Sequence, residues 1–258
     1  MKIIIIKTTI VFVLLLSVAT ISAQITMTTM KKEVAFGISG SGTAIINWGD
    51  GTPNETITLP DGSQREFQNE ELRTIIIIGN EITGFYCDGN MITSLNVSMN
   101  TALTELNCSD NQLTSLDVTK NTALTYLGCS NNRLTSLDLT KNTALTILAC
   151  SNNQITRPDV SKNTALKWLL ICNNQLTSLD VSKNIALEWI NCQSNNLSAH
   201  ALNLLFGTLH GNVIPKMLEG DDKMVFITNN PGTASCNKSI AEKKRWEVET
   251  EFEEKCGD

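Results

Sequence analysis

The 258-residue sequence predicts an α/β-type solenoid that is mostly β, with short parallel strands, a small β cap before the repeats and an αβ cap after them. Three observations predict this fold. A block of about 21 residues recurs through the middle of the chain, its apolar positions keep the same order in each copy, and neither flanking segment contains it. Because one coil of such a repeat cannot bury its own apolar edge, neighbouring coils must stack.

The repeats occupy residues 82–198. One copy reads Leu103-x-x-Leu106-x-Cys108-x-x-Asn111-x-Leu113. Four more full copies follow it and a degenerate copy precedes it; their first residues are Leu124, Leu145, Leu166, Leu187 and Ile82. The leucines and cysteines are predicted to stack inward as columns. The asparagine amides are predicted to satisfy backbone groups at the bend after each strand.

The repeat consensus is Asn-Thr-Ala-Leu-Thr-x-Leu-x-Cys-Ser-x-Asn-Gln-Leu-Thr-Ser-Leu-Asp-Val-Ser/Thr-Lys. It resembles the short repeats of exported bacterial leucine-rich-repeat proteins and is broadly similar to internalins. The resemblance implies a right-handed leucine-rich-repeat coil in an exported binding or adhesion protein without catalytic chemistry. The chain differs from internalins in its two caps.

Residues 1–23 predict a cleaved secretory signal peptide. Lys2 and Lys7 precede an almost wholly apolar run over residues 8–21, and cleavage after Ala23 would leave Gln24 as the first residue. The alternative is a membrane anchor, but about 20 apolar residues are needed to span a bilayer and Lys7 interrupts the stretch. The sequence therefore predicts a secreted or cell-surface protein whose mature chain does not insert into a membrane.

Residues 24–81 predict a β-rich N-terminal cap. Apolar and polar residues alternate over 34–38 and 44–48, and residues 74–78 read as a buried strand leading into the first coil. The segment Trp48-Gly49-Asp50-Gly51 resembles the signature of PKD-type β-sandwich modules. We expect this unit to cover the apolar end of the solenoid.

Residues 199–246 predict a C-terminal cap. A helix is expected over Ala199–His210, stopped by Gly211, followed by a strand over residues 223–228 and a second short helix over Lys238–Trp246. Residues 247–258 are rich in glutamate and predict an acidic tail that frays.

Composition narrows the class of partner. The formal net charge is −6 and no block of lysine and arginine occurs. Both observations argue against nucleic acid and against an anionic membrane surface as partners.

Of the eight cysteines, five lie in one slot of the repeat and three lie outside it. Five occupy the same slot of the repeat, where Ile171 stands in the remaining copy: Cys87, Cys108, Cys129, Cys150 and Cys192. This slot is predicted to hold buried, reduced thiols. Successive rungs lie about 4.8 Å apart with parallel Cα–Cβ vectors, so their Cβ atoms are farther apart than the roughly 3.5–4.5 Å of a disulfide. Cys172 sits one place later and is expected to be a solvent-facing, reactive thiol. Whether Cys236 and Cys256 pair is left open.

The strand alternation predicts which side chains face solvent on the concave sheet, because successive residues of a strand point to opposite faces. The residues beside the buried leucine form two outward columns, with two tryptophans on adjacent rungs and small residues expected to leave shallow notches. The first column is Gly84, Glu105, Tyr126, Ile147, Trp168 and Trp189; the second is Tyr86, Asn107, Gly128, Ala149, Leu170 and Asn191.

A contiguous exposed apolar patch usually marks a contact surface. The predicted ligand-binding residues are Glu105, Asn107, Tyr126, Ile147, Lys167, Trp168, Leu170, Glu188, Trp189 and Asn191. The leading hypothesis is a non-catalytic module for surface adhesion or host-protein interaction, whose partner is an extracellular protein. Two alternatives stay open: a glycan binder that stacks sugars on the tryptophans, and a structural or self-associating spacer. The oligomeric state is left open.

An enzyme is not predicted. The two histidines, His200 and His210, both fall on the cap helix, and no nucleophile elbow, phosphate loop or zinc-type cysteine pairing occurs. No cofactor and no metal are predicted.

Overall fold

The computed structural model describes residues 23–213 and 223–251. The predicted signal peptide, apart from Ala23, lies outside the described residues, as do Cys256 and the rest of the chain after residue 251. Within the described ranges, no helix has the length and apolar character that crossing a bilayer requires.

Fifteen strands and two helices make up the described chain. Six strands precede the repeats: β1 (Gln24–Thr29), β2 (Glu33–Gly40), β3 (Thr43–Asn47), β4 (Glu55–Thr58), β5 (Asp61–Glu66) and β6 (Arg73–Ile78). The coils contribute β7 (Ile82–Tyr86), β8 (Ser94–Asn96), β9 (Glu105–Asn107), β10 (Tyr126–Gly128), β11 (Ile147–Ala149), β12 (Trp168–Leu170) and β13 (Trp189–Asn191). The C-terminal cap contains α1 (Ala199–Thr208), β14 (Lys223–Phe226), α2 (Ser239–Glu242) and β15 (Trp246–Glu249).

The predicted fold class is confirmed: the chain is a mostly-β solenoid of about seven turns with parallel strands. The coil strands other than β8 pair with one another in parallel one repeat apart, so that Tyr126 lies beside Ile147, Ile147 beside Trp168 and Trp168 beside Trp189. They belong to a ten-stranded sheet of order β15-β14-β13-β12-β11-β10-β9-β7-β2-β5. One continuous core of stacked leucines, isoleucines and cysteines lies behind this sheet.

The N-terminal strands form two layers. β4, β3, β6, β1 and β8 make a five-stranded sheet, whereas β2 and β5 extend the long sheet of the coils. Trp48 is buried between the layers, with its ring centroid 5.4 Å from that of Phe36 and 6.3 Å from that of Phe67. Its Nε1–H donates to Glu55 Oε2 at 2.7 Å. These strands share one apolar core with the first coil, since Phe36 also packs against Phe85 at 5.8 Å.

The C-terminal cap differs from the expectation in its second helix and in the segment that follows it. α1 begins at Ala199 as predicted and ends at Thr208, two residues before the predicted end. Ser198 precedes it, and Ser198 Oγ accepts a hydrogen bond from Ala201 N–H. The second helix is shorter than expected, because α2 covers only residues 239–242. Trp246 is not helical: it is a buried residue that begins β15, and Glu247 and Glu249 belong to this strand instead of to a frayed tail. Pairing with β14 explains the difference, because it satisfies the backbone of a segment whose residues Trp246-Glu247-Val248-Glu249 alternate apolar and polar side chains.

Candidate interaction surface

The two outward columns of the concave face stand in register across the sheet. Each strand places its middle residue in the core and its flanking residues on the face, which the buried Leu127, Leu148 and Leu169 show. On the face itself Trp168 is the most open large hydrophobic side chain, with 46% of its surface exposed. The inward and outward directions that strand alternation predicts are therefore the ones that the coil strands adopt.

Three aromatic rings pack against one another along the face. The ring centroids of Trp168 and Trp189 lie 6.2 Å apart with an interplanar angle of 30°. Trp189 in turn lies 4.5 Å from Phe226. Offset stacking of this kind holds large side chains in one orientation. Tyr126 and Ile147 precede Trp168 in the first outward column. We call these two residues together with Trp168, Trp189 and Phe226 the aromatic strip.

Sequence reasoning missed two members of this neighbourhood. β14 pairs in parallel with β13, which places Met224 beside Trp189 and Phe226 beside Asn191. The sequence predicts a strand over residues 223–228, and its alternation already separates residues 224 and 226 from Val225. Its register on the last coil was missing, because about 30 residues without a repeat separate the two strands.

The expected notches in the face are filled. A Cβ at Gly128 would lie 2.7 Å from Tyr126 Oη and 2.8 Å from Asn107 Oδ1. A Cβ at Gly84 would lie 2.9 Å from Tyr86 Oη. The tyrosines therefore lie across the glycines of their own strands, and the prediction of open notches is wrong. The glycines instead let the tyrosine rings lie flat on the sheet.

Two polar residues of the predicted set behave differently from the others. Asn191 is buried, with only 6% of its surface exposed, and its Oδ1 accepts a hydrogen bond from Gln193 N–H at 3.2 Å. Asn191 is therefore less accessible to a ligand than the strand alternation predicts, and Phe226 is its neighbour on the adjacent strand. Asn107 Oδ1 likewise accepts from Ser109 N–H at 3.1 Å, but this side chain stays half-buried.

The charged residues of the face are partly paired. Lys167 Nζ lies 3.2 Å from Glu188 Oε1 beside the tryptophans. Tyr86 donates its hydroxyl to the carboxylate of Glu105, and this bond raises the pKa of the tyrosine. Both contacts orient long side chains around the aromatic strip, although exposed pairs of this kind add little stability.

The column of five cysteines is confirmed as a row of buried free thiols. Burial raises the pKa of Cys129 and of Cys192 to about 12, so the thiols are protonated at neutral pH. Ile171 is fully buried in the same column, as expected for an apolar slot.

The prediction about Cys172 is wrong. Cys172 is 1% exposed, its sulfur lies 3.2 Å from Ser151 Oγ, and it is disulfide-bonded, so it is not a reactive surface thiol. The side chain at this position packs beneath the bend in each coil, where Ser130 and Ser151 are buried too. Cys236, whose pairing the sequence leaves open, is a half-buried free thiol.

The asparagines after each strand hold adjacent coils together. The side chain of Asn132 donates to the carbonyls of Cys108, Cys129 and Ser130 and accepts from Leu113 N–H. Their predicted structural role is confirmed. A second asparagine column was missed: in Asn121 the amide donates to Val97 O and Asn100 O, both at 2.9 Å.

The histidines show cap contacts. His210 Nδ1 accepts a hydrogen bond from Asn212 N–H at 3.1 Å. The ring proton is therefore on Nε2 of His210, which donates to Leu187 O at 2.7 Å. Burial lowers the pKa of His210, and its ring lies edge-on to Trp246 at 5.5 Å. His200 is exposed on α1.

No protein-family model matches the chain, and no curated protein does. Among solved structures, the functional domain of InlJ from Listeria monocytogenes, which includes a cysteine ladder, matches with 39% sequence identity and a TM-score of 0.50. The match covers 61% of this chain and 32% of that one, so this chain spans about a third of the InlJ domain's length. The leucine-rich-repeat protein LIC12759 of Leptospira interrogans matches with 22% identity and a TM-score of 0.46, over 59% of this chain and 38% of that one. The geometry and the likeness to the InlJ domain together identify the fold as a leucine-rich-repeat solenoid.

Proposed function

We propose that this chain is an exported, non-catalytic binding module that holds an extracellular protein on its concave face, in surface adhesion or host interaction. The observation that carries the proposal is the aromatic strip: a stack of large rings whose outermost member, Trp168, is 46% exposed. Tryptophan and tyrosine dominate the energetics of protein interfaces. Exposure of these rings to water is unfavourable, and a partner that buried them would gain that free energy on binding.

Rigidity of the strip supports the proposal further. Trp189 is held between Trp168 and Phe226, and Phe226 is only 2% exposed. A surface whose rings are already ordered gives up little conformational entropy when a partner binds. Export is supported by the sequence of residues 1–23 alone, and the likeness to the InlJ domain is compatible with a surface protein.

The test uses the chain from Gln24 to Asp258, immobilised and exposed to a panel of purified extracellular proteins and a glycan panel. A Trp168→Ala/Trp189→Ala variant removes the exposed part of the strip. An Ile185→Ala/Leu204→Ala variant is the matched control, because these side chains are 58% and 57% exposed outside the concave face. The proposal expects a protein that the wild type and the control bind, and that the tryptophan variant releases at least about 10-fold faster. Equal binding by all three forms would place the interaction elsewhere, and retention of glycans alone would favour the sugar-stacking alternative.

A further inference from the structure

Carboxylates lie at both ends of the aromatic strip. β15 pairs in parallel with β14, so that Glu247 stands beside Met224 and Glu249 beside Phe226. The two outward columns therefore continue past the tryptophans into two glutamates, of which Glu247 is exposed and Glu249 half-buried. At the opposite end Glu105, which is exposed, precedes Tyr126 in the first column.

The bases on this part of the face offset these carboxylates only in part. Arg245 is exposed and lines the same concavity as Glu247 and Glu249, so this end carries one guanidinium against two carboxylates and stays net negative. In the described coil and cap strands, two lysines stand at or directly before the outward columns. Lys167 is paired with Glu188 at 3.2 Å. Lys223 is only 3% exposed, and its ammonium donates to the carbonyls of His210, Asn212 and Lys244 at 3.2, 2.9 and 2.8 Å. The surface that a partner meets is therefore apolar in the middle and negative at its ends.

We infer that the concave face takes a positively charged polypeptide segment, with apolar side chains against the aromatic strip and lysines or arginines near its ends. The inference rests on the proposed function and names the chemistry of the partner. Cationic side chains are attracted to the face of an exposed tryptophan such as Trp168. Carboxylates at the rim select a basic partner and speed its encounter, and the formal net charge of −6 acts in the same direction.

The separation of the carboxylates sets the size of this segment. β9, which carries Glu105, and β15, which carries Glu247, are six strands apart in the sheet. At about 4.8 Å per strand the carboxylates stand roughly 29 Å apart along the sheet. An extended chain rising about 3.3 Å per residue covers that distance with about nine residues. A single sugar ring cannot reach both ends, whereas a short peptide segment can.

The experiment measures fluorescence anisotropy of three labelled nonapeptides on the chain from Gln24 to Asp258. The peptides alternate leucine with lysine, serine or glutamate. The rim variant, Glu105→Gln/Glu247→Gln/Glu249→Gln, removes the three carboxylate charges at the ends of the aromatic strip. It keeps the side-chain oxygens that accept hydrogen bonds from Tyr86 and from the backbone N–H of Thr250. Asp117→Asn/Asp138→Asn/Asp159→Asn is the matched control, since it removes three carboxylates from exposed turns outside the concave face. Circular dichroism confirms that each variant is folded.

The inference expects the lysine peptide to bind at least about 10-fold more tightly than the serine peptide, and the glutamate peptide not to bind. The rim variant should lose most of that preference and of its dependence on salt, and the aspartate variant should keep both. Equal losses in the two variants would mean attraction by net charge alone and would overturn the inference. So would equal binding of the lysine and serine peptides, or binding of neither.

A Trp168→Ala variant separates this inference from the proposed function. If it weakens the lysine and serine peptides alike while the rim variant has no effect, the concave face binds peptides without selecting basic ones. The proposed function then stands and the inference falls. If Trp168→Ala leaves binding of the lysine peptide unchanged, both fall.

Discussion

The hydroxyl of Tyr126 lies against Gly128, two residues further along the same strand, at a spot where a Cβ would come within 2.7 Å of it. The tyrosine ring thus covers the strand that carries it, and it can do so only because residue 128 has no side chain. The same relationship recurs between Tyr86 and Gly84. Glycine in these strands therefore orders the aromatic part of the concave face.

Gly128→Ala should move Tyr126 off the sheet without unfolding the chain. The crowding atoms are Tyr126 Oη and Asn107 Oδ1, both at the ends of side chains that can rotate, so we expect the free energy of unfolding to change by no more than about 1 kcal/mol. A more exposed tyrosine should nitrate faster with tetranitromethane. Gly62→Ala is the control, because nothing lies within 4 Å of a Cβ there. Unchanged nitration of Tyr126 would contradict the role assigned to Gly128.

Asn132→Ala should destabilise the solenoid by about 3 kcal/mol, measured by urea unfolding. The substitution removes four hydrogen bonds and leaves the Leu113 N–H and three carbonyls with fewer partners in the interior. Asn100→Ala is the comparison, because both amide atoms of this buried side chain lack a hydrogen-bond partner within the described residues. We expect it to cost at most about 1 kcal/mol, and similar losses in the two variants would show that the hydrogen bonds are not the cause.

The thiols of the cysteine column should not react in the folded protein. Cys129 and Cys192 are fully buried with a pKa of about 12, so hardly any thiolate exists at pH 8. Iodoacetamide should label Cys236 first, since it is half-buried although burial raises its pKa as well. Mass spectrometry before and after unfolding in urea measures the order. Rapid native labelling of Cys129 would mean that the coils open locally.

Acid should weaken the turns on the returning side of the solenoid. Asp117 and Asp138 each accept hydrogen bonds from the hydroxyl and the backbone N–H of a threonine two residues later, and these bonds lower the pKa of both carboxyls. A carboxyl whose pKa is lower in the folded chain stabilises it above the unfolded value of about 3.9 and loses this effect as pH falls through the folded value.

The urea midpoint should therefore decrease between about pH 5 and pH 2. A Thr119→Val/Thr140→Val variant keeps both carboxylates and both backbone donors but lacks the hydroxyls, and its decrease should be smaller. An identical pH profile in wild type and variant would show that the hydroxyl bonds do not set the pKa values.

Much of the fold follows from the repeat. A period of 21 residues places Leu106, Cys108 and Asn111 in columns, and strand alternation then places Trp168 and Trp189 side by side on the surface. These relationships are readable because each coil contacts its nearest neighbours, so that one copy of the pattern describes them all.

Other features arise only where the repeat ends. β14 and β15 align on the last coil through backbone pairing, and this register brings Phe226 under Trp189 and two carboxylates to the end of the aromatic strip. The burial of Cys172 depends on how deeply the bend of its coil packs, which a one-residue shift in the pattern does not reveal.

The sequence by itself thus determined the solenoid, its core columns and the outward direction of the tryptophans, because periodic hydrophobicity acts on every coil in the same way. The tertiary structure alone decided which residues end the concave face and that Phe226 packs against Trp189 there. Those contacts join segments that share no repeat, and their geometry depends on the packing of the whole cap.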